Sequence, residues 1–180
     1  NLPSRPQDVI LACATCGRAW QARGESLLEI RSEHEPSPEG TPKDRLRYLP
    51  FWIMSVKSDE ALPGLPPDAY LRVPAFASRN FKWTALLALS LLRKQPPQRS
   101  VPFQPGTALD GCSYVGEEAR NMGRLLLIDY LLQKGRSIER AEKIPIDLGE
   151  PQLVWIPFIL RGIEYIEPQT GIGILKNLVI

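Results

Sequence analysis

The 180-residue sequence predicts an α+β fold with a mostly antiparallel sheet and two principal helices. A short phrase, in which a bulky apolar residue precedes a proline and a phenylalanine follows closely, occurs three times among β-branched and aromatic residues. Two longer segments carry apolar residues at helical spacing, and the last forty residues alternate apolar runs with Gly and Pro. Apolar residues make up 43% and charged residues 23%, which is ordinary for a globular protein.

The repeated phrase predicts related strands that share a core. It occupies residues 48–52, 71–76 and 155–158. Proline has no N–H to donate to a sheet, so these strands are expected at a sheet edge, at a bulge or at a strand start. We expect the three phenylalanines of the phrase, Phe51, Phe76 and Phe158, to be buried in comparable positions of one sheet or of two packed sheets.

Charge and apolar patterning exclude several classes of protein. The net charge is +2, and the 22 basic and 20 acidic residues are interspersed. The sequence therefore lacks the basic stripe that is typical of a nucleic-acid-binding protein. The longest apolar run, residues 85–92, is far shorter than the roughly 20 residues that cross a bilayer, and no transmembrane segment is predicted. Three cysteines, two of them in a CxxC, argue against a disulfide framework and favour a reducing, cytoplasmic location.

The CxxC lies between two strand-like segments within residues 9–20. Cys13 and Cys16 can hold one tetrahedral ion if the backbone turns tightly between them, and Gly17 allows backbone N–H groups to approach the sulfurs. Residues 8–22 therefore resemble the knuckle of zinc ribbons and, more distantly, of rubredoxins. The resemblance implies that Cys13 and Cys16 are metal ligands and that zinc is a possible cofactor.

A zinc ribbon needs two knuckles, and this sequence contains one. His34 is the only candidate ligand just downstream, and Cys112 is remote. Residues 1–6 look like the turn that follows a first knuckle, so we expect the missing pair to precede residue 1, or the site to be lost or completed by another chain. A metal-free hairpin remains an alternative. A redox pair or iron site is disfavoured, because a thioredoxin-type CxxC opens a helix.

The sequence divides into a zinc-ribbon-like hairpin at 1–35, incomplete at its N-terminus, and an α+β domain at 40–180. A strand is predicted within 24–33 and a polar loop over 35–44. The strand at 46–56 has a long apolar middle, which indicates burial on both faces, and the second copy of the phrase at 69–76 follows it.

The first helix is predicted from an N-cap at Asn80 to about Lys94. It is apolar almost all round, which indicates a core helix or, alternatively, a docking surface. A second helix is predicted over about 115–134, capped by Ser113 and ended by Gly135.

Residues 137–146 are expected to form a short strand or turn. After them comes a β-meander, with a strand at 153–160 and turns at 161–162 and 168–171.

No pattern of catalytic residues is evident. The only histidine, His34, lies in a polar stretch, and the sequence has no G-x-S-x-G, phosphate loop or HExxH. Cys112 precedes the second helix, whose N-terminus could lower its pKa, although a cysteine without chemistry is the plainer interpretation.

The sequence thus predicts a non-catalytic binding or assembly subunit, because ribbon modules often serve, as the resemblance implies, as rigid contact surfaces. Its expected partners are other protein subunits, or a second copy through open strand edges. A nucleic-acid-binding ribbon protein is the first alternative, and a thiol enzyme using Cys112 is the second.

Overall fold

The computed structural model describes residues 8–103 and 108–180 and shows the predicted α+β fold. The strands are β1 Ile10–Ala12, β2 Ala19–Arg23, β3 Ser26–Ile30, β4 Ser32–His34, β5 Leu46–Ser58, β6 Tyr70–Pro74, β7 Ile146–Leu148, β8 Gln152–Arg161, β9 Glu164–Ile166 and β10 Gly173–Leu175. The helices are α1 Phe81–Lys94, α2 Gly116–Gln133 and α3 Ile138–Lys143, with short 3-10 turns at Lys43–Arg45 and Lys176–Leu178.

Two sheets organise these elements. β1, β2 and β3 form a small antiparallel sheet in that order, and the main sheet runs β10-β9-β8-β5-β6. β4 lies parallel to β8, and β7 lies antiparallel to the end of β5; the other pairs are also antiparallel. The predicted meander is confirmed, with Gly162 at φ 61° in the turn between β8 and β9. The division into a hairpin at 1–35 and a domain at 40–180 stays a prediction, although β4 joins the main sheet.

The prolines of the repeated phrase do not all lie where edge strands were expected. Pro74 ends β6 at the edge of the sheet, but Pro50 and Pro157 lie inside β5 and β8, the two central strands, so the prediction is wrong for both. Pro50 lies one residue past the last β5–β6 register pair, and its carbonyl accepts a hydrogen bond from the N–H of Ala75. Its nitrogen therefore faces the end of β6, where no ladder donor is needed.

Pro157 is tolerated for a similar local reason. Its register partner, Tyr48, directs its backbone N–H and C=O to residues 108 and 110 and away from β8. By the alternation of an antiparallel pair, Pro157 then faces away from β5. On that side of β8, the pairing with β4 ends at Trp155 and the pairing with β9 begins at Ile159. Pro157 lies in the gap between the two, where β8 needs no N–H donor.

The predicted burial of the three phenylalanines is confirmed, but Phe76 lies two residues beyond the end of β6 and so does not occupy a sheet position comparable to those of Phe51 and Phe158. Phe51, Phe76 and Phe158 are fully buried, and the Phe51 ring lies 5.8 Å from that of Phe76 and 6.0 Å from that of Phe158 between centroids. They belong to the core on one face of the main sheet, and the core on the other face packs beneath α2. As predicted, the middle of β5 is buried on both faces.

The first helix agrees with its prediction at both ends. The Asn80 side chain accepts a hydrogen bond from the N–H of Lys82, and Gln95 closes the helix in a left-handed conformation with φ 45°. The helix nevertheless leaves Phe81 and Trp83 about half exposed near its start. A docking role for α1 stays a prediction.

The second helix begins later than predicted. Ser113 is not its N-cap, because Val115 occupies that position, and the N–H of Ser113 donates to the carbonyl of Ala75. α2 starts after Val115, whose N–H donates to the Glu118 carboxylate at 3.0 Å. Gly135 follows the helix with φ 82°, as predicted.

Residues 138–143 form the short helix α3, so the prediction of a strand or turn there is wrong. Good helix formers fill it, and Ala141 anchors it in the core.

In the described ranges 8–103 and 108–180, no helix has the length and apolar character needed to cross a membrane.

Candidate metal centre at the Cys13–Cys16 turn

The CxxC forms the turn of the β1–β2 hairpin. Ala12 pairs with Ala19 at the end of the ladder, and the N–H of Cys13 donates to the carbonyl of Arg18 at 2.9 Å. Inside the turn, the N–H of Gly17 donates to the carbonyl of Cys13 at 2.8 Å. The motif therefore ends a strand and starts another, whereas a thioredoxin-type CxxC would open a helix.

Backbone N–H groups of this turn are directed at the Cys13 sulfur. They lower the pKa of the Cys13 thiol from 9.0 to about 7, with the N–H of Cys16 contributing most and that of Thr15 next. A hydrogen bond with the Cys16 thiol acts in the same direction. Both cysteines are free and reach the surface. The thiolate is the form that binds a metal ion, and the lowered pKa increases its fraction at neutral pH.

Gly17 is required by the turn for two reasons. Its φ of 71° lies in the left-handed region that side-chain-bearing residues avoid. A Cβ atom at this position would also clash with the Phe103 ring, which packs directly on the turn. Gly17 therefore shapes the hairpin turn, and it also allows the loop that contains Phe103 to pack on this turn.

The described residues offer two of the four ligands that a tetrahedral zinc site would need. Within residues 8–103 and 108–180, no three His, Cys, Asp or Glu side chains are grouped so that they could hold a metal ion. Residues 1–7 and 104–107, which lie outside the description, contain none of these amino acids. Cys13 and Cys16 fit zinc in chemistry and spacing, and a complete site needs two further ligands from elsewhere.

His34 is not brought to the cysteines as a ligand. It was expected in a polar loop, but it ends β4 and is 6% exposed, with its ring stacked on Trp155 at 5.5 Å and 4.9 Å from Phe103 between centroids. Burial lowers the pKa of His34 from 6.5 to about 4, so the imidazole is neutral at pH 7. His34 lines an open cavity of about 630 Å³, and Cys16 lines the same cavity.

Cys112 has the environment of a structural cysteine. It is fully buried, and its N–H donates to the carbonyl of Ile10 at 2.9 Å. Burial raises the pKa of its thiol, and the carboxylates of Asp8 and Asp110 raise it further. The helix N-terminus does not lower the pKa of this thiol, because α2 begins four residues later and burial dominates.

The chain matches no family model, no curated protein and no solved structure. Two thiols on a tight hairpin turn are able to bind a soft metal ion.

A buried polar cluster lies where the sequence predicted a loop. Glu35 and Arg72 are each 1% exposed, and Arg72 Nη2 donates to Glu35 Oε1 at 2.5 Å. Gln169 donates to the other Glu35 oxygen, and the carboxylate of buried Glu167 accepts hydrogen bonds from the N–H groups of Gln169 and Thr170.

Burial raises the pKa of Glu35 from 4.5 to about 7, while the Arg72 charge opposes this rise and the Glu167 charge adds to it. One member of this cluster, Arg72, stands out in the sequence. Arg72 is the charge inside the apolar strand 71–76, and a buried charge requires a partner. That requirement is the signal that could have indicated a partner for Arg72, but it does not identify Glu35.

Proposed function

We propose that this chain is a non-catalytic binding or assembly subunit whose Cys13–Cys16 turn supplies half of a zinc site. The observation that carries the proposal is the tight β1–β2 turn, which holds Cys13 and Cys16 together and keeps the backbone N–H groups of Thr15 and Cys16 near the Cys13 sulfur. Such groups stabilise thiolate charge, which is what a Zn²⁺–sulfur bond requires. Bound zinc would hold the hairpin rigid as a contact surface.

Burial of the other reactive groups favours binding over catalysis. Glu35, Glu167 and Cys112, which could act as acid, base or nucleophile, are each at most 1% exposed, and His34 is 6% exposed. Candidate catalytic groups need access to substrate. A thiol enzyme using Cys112 therefore has no support in this geometry.

Protein partners, including a second copy, suit this chain better than nucleic acid. On the hairpin sheet, Arg18 lies 3.7 Å from Glu29, and just beyond β3 Arg31 lies 3.6 Å from Glu33. These acidic neighbours break up the positive charge that a phosphate backbone would need. The free thiols support a reducing location such as the cytoplasm.

Cobalt titration of the purified reduced chain tests the metal proposal, because thiolate–Co²⁺ bonds give an intense charge-transfer band. We expect the band in the wild-type protein, its loss in Cys13→Ser and Cys16→Ser, and its retention in the matched control Cys112→Ser. Zinc added afterwards should displace cobalt. Absence of the band in wild type, or an unchanged band in the Cys13→Ser/Cys16→Ser double variant, would overturn the proposal.

A further inference from the structure

The outer edge of β3 presents unpaired backbone groups. Among the described residues, β3 has β2 as its only ladder partner. The N–H of Ala22 donates to Val9 beside β1, so its register partner Leu27 directs its own backbone groups away from β2. The alternation of the ladder places the N–H and C=O of Glu29 on the same outer edge.

The side chains of this edge are unusually apolar. Leu27 is 56% exposed and Leu28 is 45% exposed, on opposite faces of the strand. Exposed edge strands are normally protected by lysine, proline or a bulge. The single charged residue of β3, Glu29, forms an ion pair with Arg18, which immediately precedes the neighbouring strand β2. The edge is therefore open to another strand.

We propose that β3 pairs antiparallel with β3 of a second copy, about a twofold axis at Leu28. The outward-facing residues Leu27 and Glu29 flank Leu28 symmetrically. The axis therefore places Leu27 opposite Glu29 of the second copy, and each such pair exchanges two backbone hydrogen bonds. Leu28 meets Leu28 of the second copy in the closer, non-hydrogen-bonded pair. The small sheet would become a continuous sheet of six strands.

Charges just beyond the strand select this arrangement. Glu25 and Arg31 are both exposed and lie three residues before and after Leu28. The twofold axis thus places Glu25 of each copy opposite Arg31 of the other, whereas a parallel pairing in register would face like charges. The exposed contact of Arg31 with Glu33 is weak and does not prevent the exchange.

The contact expected from this pairing is small. A five-residue strand pair is smaller than a standard interface of about 1,600 Å², so the contact is expected to be weak and concentration-dependent. The inference deepens the proposed assembly role, on which its biological meaning rests, but it requires no metal.

Sedimentation velocity of the whole chain, from micromolar to near-millimolar concentration with a chelator present, tests the pairing. We expect a monomer–dimer equilibrium that also occurs in the Cys13→Ser/Cys16→Ser variant. Leu28→Lys brings two ammonium groups together at the axis and should weaken dimerisation at least about tenfold. The control Leu125→Lys, on a side chain of α2 that is 66% exposed, should leave the equilibrium unchanged.

A charge exchange tests the register and the second copy together. Glu25→Arg alone and Arg31→Glu alone should each weaken the dimer, and the double variant should restore it. A monomer at every concentration, a dimer unaffected by Leu28→Lys, or no restoration in the double variant would overturn the inference. A dimer that disappears with chelator or in the cysteine variant would also overturn it and would indicate metal bridging instead. Because metal binding is measured separately by cobalt titration, failure of either proposal is distinguishable from failure of the other.

Discussion

The adjacent residues His34 and Glu35 should make opposite contributions to the pH dependence of stability. Burial lowers the pKa of His34 from 6.5 to about 4 and raises that of Glu35 from 4.5 to about 7. Each displacement corresponds to about 3 kcal/mol of unfolding free energy when fully developed. Both side chains are buried, so solvent screening does not remove the effect.

The signs follow from which state binds the proton. The neutral His34 imidazole contributes stability above pH 6.5, and this is lost as the pH falls through about 4, because the unfolded chain takes up the proton first. The protonated Glu35 carboxyl contributes stability below pH 4.5, and this is lost as the pH rises through about 7. In the wild-type protein the two effects largely cancel between these limits.

Replacing one of the two groups should expose the pH dependence of stability that the other contributes. In His34→Gln, the unfolding free energy should fall by up to about 3 kcal/mol as the pH rises from about 4.5 to 7. In Glu35→Gln it should fall by a similar amount as the pH decreases from 6.5 to about 4. Urea unfolding followed by circular dichroism at constant ionic strength measures both slopes.

Glu39→Gln, on an exposed side chain of the same connection, is the matched control and should retain the wild-type profile. Slopes of the same sign in the two variants would refute the argument from burial. Flat profiles in both would show that water or a rearrangement of Arg72 keeps the two groups at their ordinary pKa values.

Two further predictions concern packing and backbone conformation. Phe51→Ala should cost about 3–5 kcal/mol by urea unfolding because its ring is fully buried, whereas Phe81→Ala, at a side chain 55% exposed, should stay within about 0.5 kcal/mol of wild type. Equal midpoints for the two variants would contradict the shared aromatic core. Gly17→Ala should cost more than Gly24→Ala, because both glycines have positive φ but only Gly17 faces Phe103. Phe103→Ala added to Gly17→Ala should remove the excess cost; a strictly additive loss would exclude the clash.

The sequence alone determined the features that depend on residues close to one another in the chain. The N-cap at Asn80 and the apolar residues after it defined α1, because capping and helical hydrogen bonds act within a few residues. The CxxCG stretch predicted a tight turn between strands for a similar reason, and the glycine-marked turns predicted the meander.

Tertiary structure alone decided which of these elements became central and which side chains became buried. Pro50 and Pro157 could enter central strands because neighbouring strands end beside them, which no local pattern records. Glu35, in a stretch that looks like a polar loop, is buried because Arg72 and Gln169 reach it from 37 and 134 residues away in the chain. Cys112 is fully buried where its backbone pairs with Ile10 of β1, which is about 100 residues away in the chain. In each case the outcome depends on segments that are distant in the chain, and for Glu35 and Cys112 burial by those segments sets the pKa and the accessibility of the side chain.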